Sequence, residues 1–156
     1  MPPSLVIYYA TETGNAQGLA EQACARALNE GWHAVTENLS GVRPEDLTAV
    51  PLALFIVSTW GDGDPPSDAI DFWNDLECAR LDLGRLRFAV LGLGDRAYTE
   101  FNGFARKLDE RLAALGAQRL HERIEADVDF DDTYAEWAAR LFPLLAEARE
   151  RAAFFA

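Results

Sequence analysis

Three uninterrupted apolar runs each break into a polar, glycine-bearing loop, and each loop leads into a stretch with helical spacing. The runs are Leu5–Ala10, Leu52–Val57 and Phe88–Leu93. None alternates apolar with polar, as a strand with one wet face would. Continuous apolar runs belong to strands covered on both faces, which requires a parallel sheet between layers of helices. Three loops therefore gather past the carboxyl ends of those strands: Thr11 to Ala16, Ser58 to Asp64 and Leu93 to Tyr98. Open α/β sheets bind their ligands at that edge.

The segments between the runs complete the pattern. Ala16, Leu19, Ala20, Ala23, Cys24, Ala27 and Leu28 make the apolar stripe of a first helix, with Gly31 as its C-cap. His33 to Leu39 reads as a strand, and Pro44 to Leu47 as one helical turn with Pro at its start. Ser67 or Asp68 can cap a helix carrying Ile70, Trp73 and Leu76. A third helix presents Phe101, Phe104, Ala105, Leu108, Leu112 and Leu115 and stops at Gly116, and Arg119 to Ile124 reads as a short last strand. Tyr134, Trp137, Ala138, Leu141, Leu145 and Ala148 form the stripe of a final helix that Pro143 should kink. The expected architecture is α/β: a five-stranded parallel sheet with helices on both faces. No linker or repeat divides the chain, so residues 1–156 read as a single domain.

Charge narrows the partners. With 14 Lys+Arg against 26 Asp+Glu, the net charge is −12. Nucleic acid and anionic membranes repel such a surface, whereas a basic protein partner is drawn to it. There is no run of about 18 apolar residues to span a membrane, and no basic region at the start to suggest a signal peptide. A soluble cytoplasmic protein, monomeric in solution, is the expectation. Cys24 and Cys78 lack the spacing of a metal or redox pair and read as packing thiols. His33 and His121 fall outside the ligand loops. Asp127, Asp129, Asp131 and Asp132 lack the glycine and distant glutamate of a calcium loop, and read as a solvated face that caps a helix.

The loops suggest a ligand. Thr11, Glu12, Thr13, Gly14, Asn15 and Ala16 join a strand to a helix N-terminus, where outward N–H groups and the helix dipole favour an anion. There is no lysine, so the loop is not a nucleotide P-loop, and it is not G-x-G-x-x-G. A neutral cradle of this kind suits a single terminal phosphate. Trp60, among the turn residues of the second loop, can stack on a flat heterocycle at roughly 1–3 kcal/mol. Gly61 permits a peptide flip, and Tyr98 offers a second aromatic plate. Together these features fit a mononucleotide with a planar head.

The motifs T-x-T-G-N-A, S-T-x-G-x-G-[DE]-P-P and L-G-D-x-x-Y-x-x-F-N resemble those of the flavodoxin-like FMN-binding domain. They are most similar to the branch found in diflavin reductases of the sulfite reductase and cytochrome P450 reductase type, in its short-chain form. The resemblance covers about residues 4–148 and implies a flavodoxin-like three-layer α/β sandwich whose five-stranded parallel sheet has the order 2-1-3-4-5. It implies that Thr11 to Ala16 hold the FMN phosphate. It implies that Ser58, Thr59, Trp60, Gly61, Asp62 and Gly63 wrap the ring edge and one face. Leu93, Gly94, Asp95, Phe101 and Asn102 would line the pyrimidine edge, with Tyr98 on the outer face and Asp127 near the ribityl chain. Trp60 departs from the tyrosine or small polar residue more common in that branch. The implied function is one-electron transfer through FMN, cycling between semiquinone and hydroquinone, with no side chain acting as acid or base. The implied partners are an FAD/NADPH reductase as donor and a haem or Fe-S protein as acceptor, each docking through a basic surface. Two alternatives stay open: an FMN module of a larger or split diflavin reductase, and a stand-alone FMN quinone reductase. A regulatory domain sharing only the fold is disfavoured by the first and third loops.

Overall fold

The structure, a computed structural model, describes residues 4–61, 63–97 and 101–154, excluding the side chains of residues 152–154. The elements alternate as the apolar runs require. Strand β1 (Leu5–Ala10) leads to helix α1 (Asn15–Asn29), then β2 (Ala34–Asn38) and two short 3-10 turns. Strand β3 (Leu52–Ser58) is followed by α2 (Ile70–Cys78), β4 (Arg87–Leu93) and α3 (Gly103–Ala114). Two short strands, β5 (Gln118–Arg119) and β6 (Ile124–Ala126), precede the long helix α4 (Phe130–Phe154).

All strand pairs are parallel, in the order β2-β1-β3-β4-β5, with β6 also on β4. Successive residues of each central strand serve opposite cores. Leu5 and Ile7, Leu54 and Ile56, and Ala89 and Leu91 face α1 and α4, where Leu19, Trp137 and Leu141 meet them. Val6 and Tyr8, Phe55 and Val57, and Phe88 and Val90 face α2 and α3, against Phe72, Trp73, Phe104 and Leu108. On that side Tyr8 stacks on Phe55 at 5.0 Å, and Phe88 meets Phe55 edge-on at 6.4 Å. The sheet is thus dry on both faces, and its loops are its wet part.

Helix ends follow the glycines. Trp32 N donates to Ala27 O and Gly31 N to Leu28 O, a Schellman ending with Gly31 at φ +85°. Gly116 closes α3 in the same way, through Ala117 N to Leu112 O and Gly116 N to Ala113 O. Arg111 of α3 donates to Leu76 O and Ala79 O and so finishes α2 from the neighbouring helix.

Three expectations change. Leu28 and Ile70, placed on apolar stripes by spacing, are exposed at the stripe edges. Neither Ser67 nor Asp68 caps α2, because the Asp68 carboxylate is engaged elsewhere. Pro143 lies inside α4, as expected, on its exposed side. The last strand is not continuous from Arg119 to Ile124. Gln118 and Arg119 pair with the start of β4, and Ile124 to Ala126 pair with its end.

An ion network explains that break. Asp109 of α3, with a side chain only 2% exposed, receives two bonds from Arg119 (3.0 and 2.9 Å) and one from Arg123 (2.7 Å). Glu125 accepts from Arg106 and from Arg123. Leu120 N still donates to Phe88 O, and with Arg119 and Arg123 turned toward one carboxylate residues 121–123 leave the ladder. Burial acts to raise the Glu125 carboxyl, but the hydrogen bonds and charges of Arg106 and Arg123 outweigh it and hold the group below the ordinary range.

Removing one member of a buried ion network leaves its partners uncompensated. Asp109→Ala is expected to cost about 2 kcal/mol in urea denaturation, below the 3–5 typical of full burial because the arginines reach solvent. No loss would mean the network is ornamental. Glu125 titrates lower in the fold than in the unfolded chain, so its contribution is complete above about pH 4.3 and disappears as pH falls through the folded value. Glu125→Gln should therefore lower the melting temperature at neutral pH and make progressively less difference on acidification. An equal loss at both pH values would contradict the linkage.

Candidate functional site

The carboxyl ends of β1, β3 and β4 open onto one cleft of about 320 Å³, within the size range of small-molecule sites. Of the residues singled out in sequence, Glu12, Thr13 and Asn15 reach it from the first loop. Ser58, Thr59, Trp60 and Gly61 come from the second loop, and Leu93, Gly94, Asp95, Phe101 and Asn102 from the third. Thr11, Gly14, Ala16, Gly63 and Asp127 stand behind this lining, and Asp62 and Tyr98 lie outside the described residues.

The first loop is a bare helix start. Gly14 occupies the N-cap position with left-handed backbone (φ +91°), which glycine adopts without strain, and no side chain caps α1. No acidic residue lies in its first turn, so the free N–H groups keep their positive field. Thr11 Oγ1 accepts from Gly14 N at 2.8 Å and holds the turn closed. The Ala16 methyl is fully buried, which anchors the helix start to the sheet.

Carboxylates fasten this loop to its neighbours. Asp68 accepts from Thr11 N (3.1 and 3.2 Å) and from Asn38 Nδ2 (2.9 Å). Glu12 accepts from Ser67 N. Both acids are thereby committed to backbone or amide donors.

The second loop turns back on itself. Trp60 and Asp64 exchange backbone bonds of 2.7 and 2.9 Å, and Lys107 Nζ donates to Gly63 O at 3.2 Å. The Trp60 side chain stands at the rim, 56% exposed. Thr59 N donates to Leu93 O, and Thr59 Oγ1 accepts from Phe104 N at 3.1 Å. The Thr59 hydroxyl is thus the cap that α3 lacks from its own N-cap residue, Asn102.

The third loop is built around Asn102. It is fully buried in left-handed conformation (φ +55°), and its Nδ2 donates to Ala126 O at 3.1 Å. Its Oδ1 has no partner among the described residues. Gly94 N donates to the same Ala126 carbonyl. A Cβ on Gly92 would lie 2.5 Å from both Ala105 Cβ and Asn102 Oδ1. Asp95 accepts from Ala97 N in a local turn, and Asp127 accepts from Arg96 N and Val128 N while pairing with Arg96. Asp127 is a tie between the third loop and the segment entering α4.

Sequence reasoning missed Val128 and Phe130, which also line the cleft. Val128 is 69% exposed, an apolar side chain held at the mouth. The alternation of Asp127, Val128, Asp129 and Phe130 was the available signal, hidden by reading the acids alone. Asp131 and Asp132 do fall in the first turn of α4, where the helix dipole favours them.

Comparison with known proteins agrees with this architecture. The flavodoxin family model matches residues 7–139. The sulfite reductase [NADPH] flavoprotein alpha-component of Bacillus subtilis is 38% identical over 145 residues, covering 92% of this chain and 24% of that protein. NADPH-dependent diflavin oxidoreductase 1 of Emericella nidulans is 40% identical over 145 residues, covering 87% of this chain and 22% of its own. NADPH--cytochrome P450 reductase of Cavia porcellus is 31% identical, covering 92% and 22%. Among solved structures, a flavodoxin of Streptococcus pneumonia TIGR4 superposes with a TM-score of 0.76 over 89% of this chain and 97% of that one, at 24% identity. The chain belongs to the flavodoxin family. It spans about a quarter of the length of the reductases it matches. The cofactor of this family and of the FMN domains among these relatives is FMN.

Gly92→Ala forces a contact far inside van der Waals distance. Overpacking of this kind typically costs about 1–3 kcal/mol. The substitution is expected to lower stability by that amount in urea denaturation and to loosen the Asn102 plug. An unchanged midpoint would show that β4 has room the geometry denies.

Proposed function

We propose that this chain forms one domain over residues 1–156 that carries electrons one at a time between proteins through FMN held in the cleft. The uncapped, neutral start of α1 carries this reading. A phosphate there meets free backbone N–H groups and the helix dipole. In the proposed mode Thr11 to Ala16 cradle that phosphate, with Thr13 and Asn15 adding side-chain donors. Ser58 to Gly61, Leu93 to Asp95, Phe101 and Asn102 border the ring, and Trp60 lies on one face of it, with Asp62, Gly63, Tyr98 and Asp127 in supporting positions.

The donor set fits FMN. Trp60, Leu93, Phe101, Val128 and Phe130 give the lining an apolar wall for a planar ring, threonine, serine and asparagine give it a polar edge, and its two carboxylates, Glu12 and Asp95, already accept from Ser67 N and Ala97 N. Bound FMN supplies the one-electron chemistry, which no amino-acid side chain provides. The chain supplies position and field. Trp60 and Val128 shield the mouth, and the bonds among the three loops keep the cleft formed. Asp64 and Asp95 set a negative field that disfavours added negative charge on a bound group. No residue of the cleft is asked to move a proton.

The acidity of the chain supports partners with basic docking surfaces, an FAD/NADPH reductase as donor and a haem or Fe-S protein as acceptor. A cytoplasmic, monomeric protein belongs to the same proposal; both cysteines are free thiols. The quarter-length match to diflavin reductases supports a second reading, in which the chain serves as the FMN module of a larger or split reductase.

Trp60→Ala is expected to weaken FMN binding by about 1–3 kcal/mol, the cost of losing one stacking platform. Because the side chain is exposed, the melting temperature without FMN should scarcely change. Unchanged FMN affinity would remove Trp60 from the site. Electron transfer to a basic acceptor should slow steeply with added salt, since screening removes charge steering. A rate indifferent to salt in stopped-flow would reject the acidic docking surface.

A further inference from the structure

The amino ends of the strands, at the pole opposite the cleft, carry a second and larger cavity of about 710 Å³. Its apolar wall is made by Trp32, Pro51, Leu52 and Ala148. Its polar lining, apart from Ser4, is four arginines: Arg85, Arg87, Arg149 and Arg151. No acidic residue lines it among the described residues, although acids outnumber bases 26 to 14 in the chain.

Two of these arginines are already engaged. Arg149 lies 4.2 Å over the Trp32 ring and donates to Glu30 O, and Arg151 pairs with Glu147 at 3.3 Å. Arg85 and Arg87 make no side-chain hydrogen bond or ion pair among the described residues. The indole Nε1–H of Trp32, buried in the wall, also lacks a partner. Glu147 is the one carboxylate paired to this group among the described residues, so the gathered like charges remain under-compensated, which raises the energy of the fold and which an anion relieves. Guanidinium forks match carboxylate and phosphate oxygens in pairs. The apolar wall asks for more than an inorganic ion, and the concavity suits a small molecule better than a flat protein face.

We infer that this cavity binds an amphipathic organic anion, a carboxylate or phosphate monoester attached to an acyl or aryl body. The apolar body packs on Trp32, Leu52 and Ala148, and the anionic head meets Arg85 and Arg87. The site shares no residue with the FMN cleft, so both can be filled at once.

The test uses the full chain saturated with FMN, so that the cleft is closed to the probe. Anilinonaphthalene sulfonate is titrated by fluorescence, then displaced with dodecyl phosphate and with dodecanol. Saturable one-to-one binding is expected, displaced by dodecyl phosphate and not by dodecanol. Binding should be at least about tenfold weaker in R85Q/R87Q, whose flavin spectrum and melting temperature check the fold. Lack of saturable binding, equal affinity in R85Q/R87Q, or equal displacement by dodecanol would overturn the assignment, the last showing an apolar hollow without anion recognition. A failure of FMN to bind would count against the cleft instead, and would appear before any probe is added.

Discussion

The Asp68 carboxylate is the joint on which the cleft depends. Placed just before α2, it reaches across to Thr11 N at the end of β1 and to Asn38 Nδ2 at the end of β2. Three segments far apart in sequence are thus tied at one point. A second seam, from Thr59 to Leu93 O and Phe104 N, joins the β3 and β4 ends. A third, at Ala126 O, joins β4, Asn102 and β6. The loops are held by one another, and the α1 N-terminus stays free for a ligand. Loops carry function because a rigid scaffold positions them; here much of the positioning is done by groups inside the loops themselves.

The two poles of the sheet divide the electrostatic work. At the carboxyl pole, the proposed phosphate cradle at the uncapped start of α1 lies among acids, several already committed to backbone donors. This lets a strongly acidic chain accept a further anion: the attraction is local and directional, through N–H groups, while the repulsion is spread and screened. At the amino pole Arg151 pairs with Glu147, and Arg85 and Arg87 have no carboxylate partner among the described residues. The ion network between α3 and the split last strand lies along one flank, and fixes β6 and thereby the Ala126 carbonyl.

Most of the fold was legible in sequence because the central strands are dry on both faces. Leu5–Ala10, Leu52–Val57 and Phe88–Leu93 read as buried parallel strands, while the strand order came with the resemblance to the flavodoxin-like domain. The short edge strand was not legible. Nothing in the composition of residues 118–126 says that Asp109 will turn Arg119 and Arg123 toward itself and open the strand between them. The stripe edges failed similarly: Leu28 and Ile70 have apolar spacing, but they sit where the helix surface turns to solvent. In the site, glycines and hydroxyls marked the loops correctly, yet their division of labour could not be seen. Thr59 caps a distant helix, Asp127 ties a loop, and Val128 and Phe130 were masked by the acids between them. Spacing reports which residues share a loop, and long-range hydrogen bonds decide which of them face the ligand.

The central claim is that a terminal phosphate is held on the free N–H groups of α1. Comparing FMN with riboflavin, which has the same ring and lacks the phosphate, tests it directly by flavin fluorescence quenching. FMN binding tighter by roughly two orders of magnitude is the expected result, about 3 kcal/mol from several charge-assisted hydrogen bonds. Equal affinity for the two flavins would contradict it, and would mean that the cleft holds the ring alone.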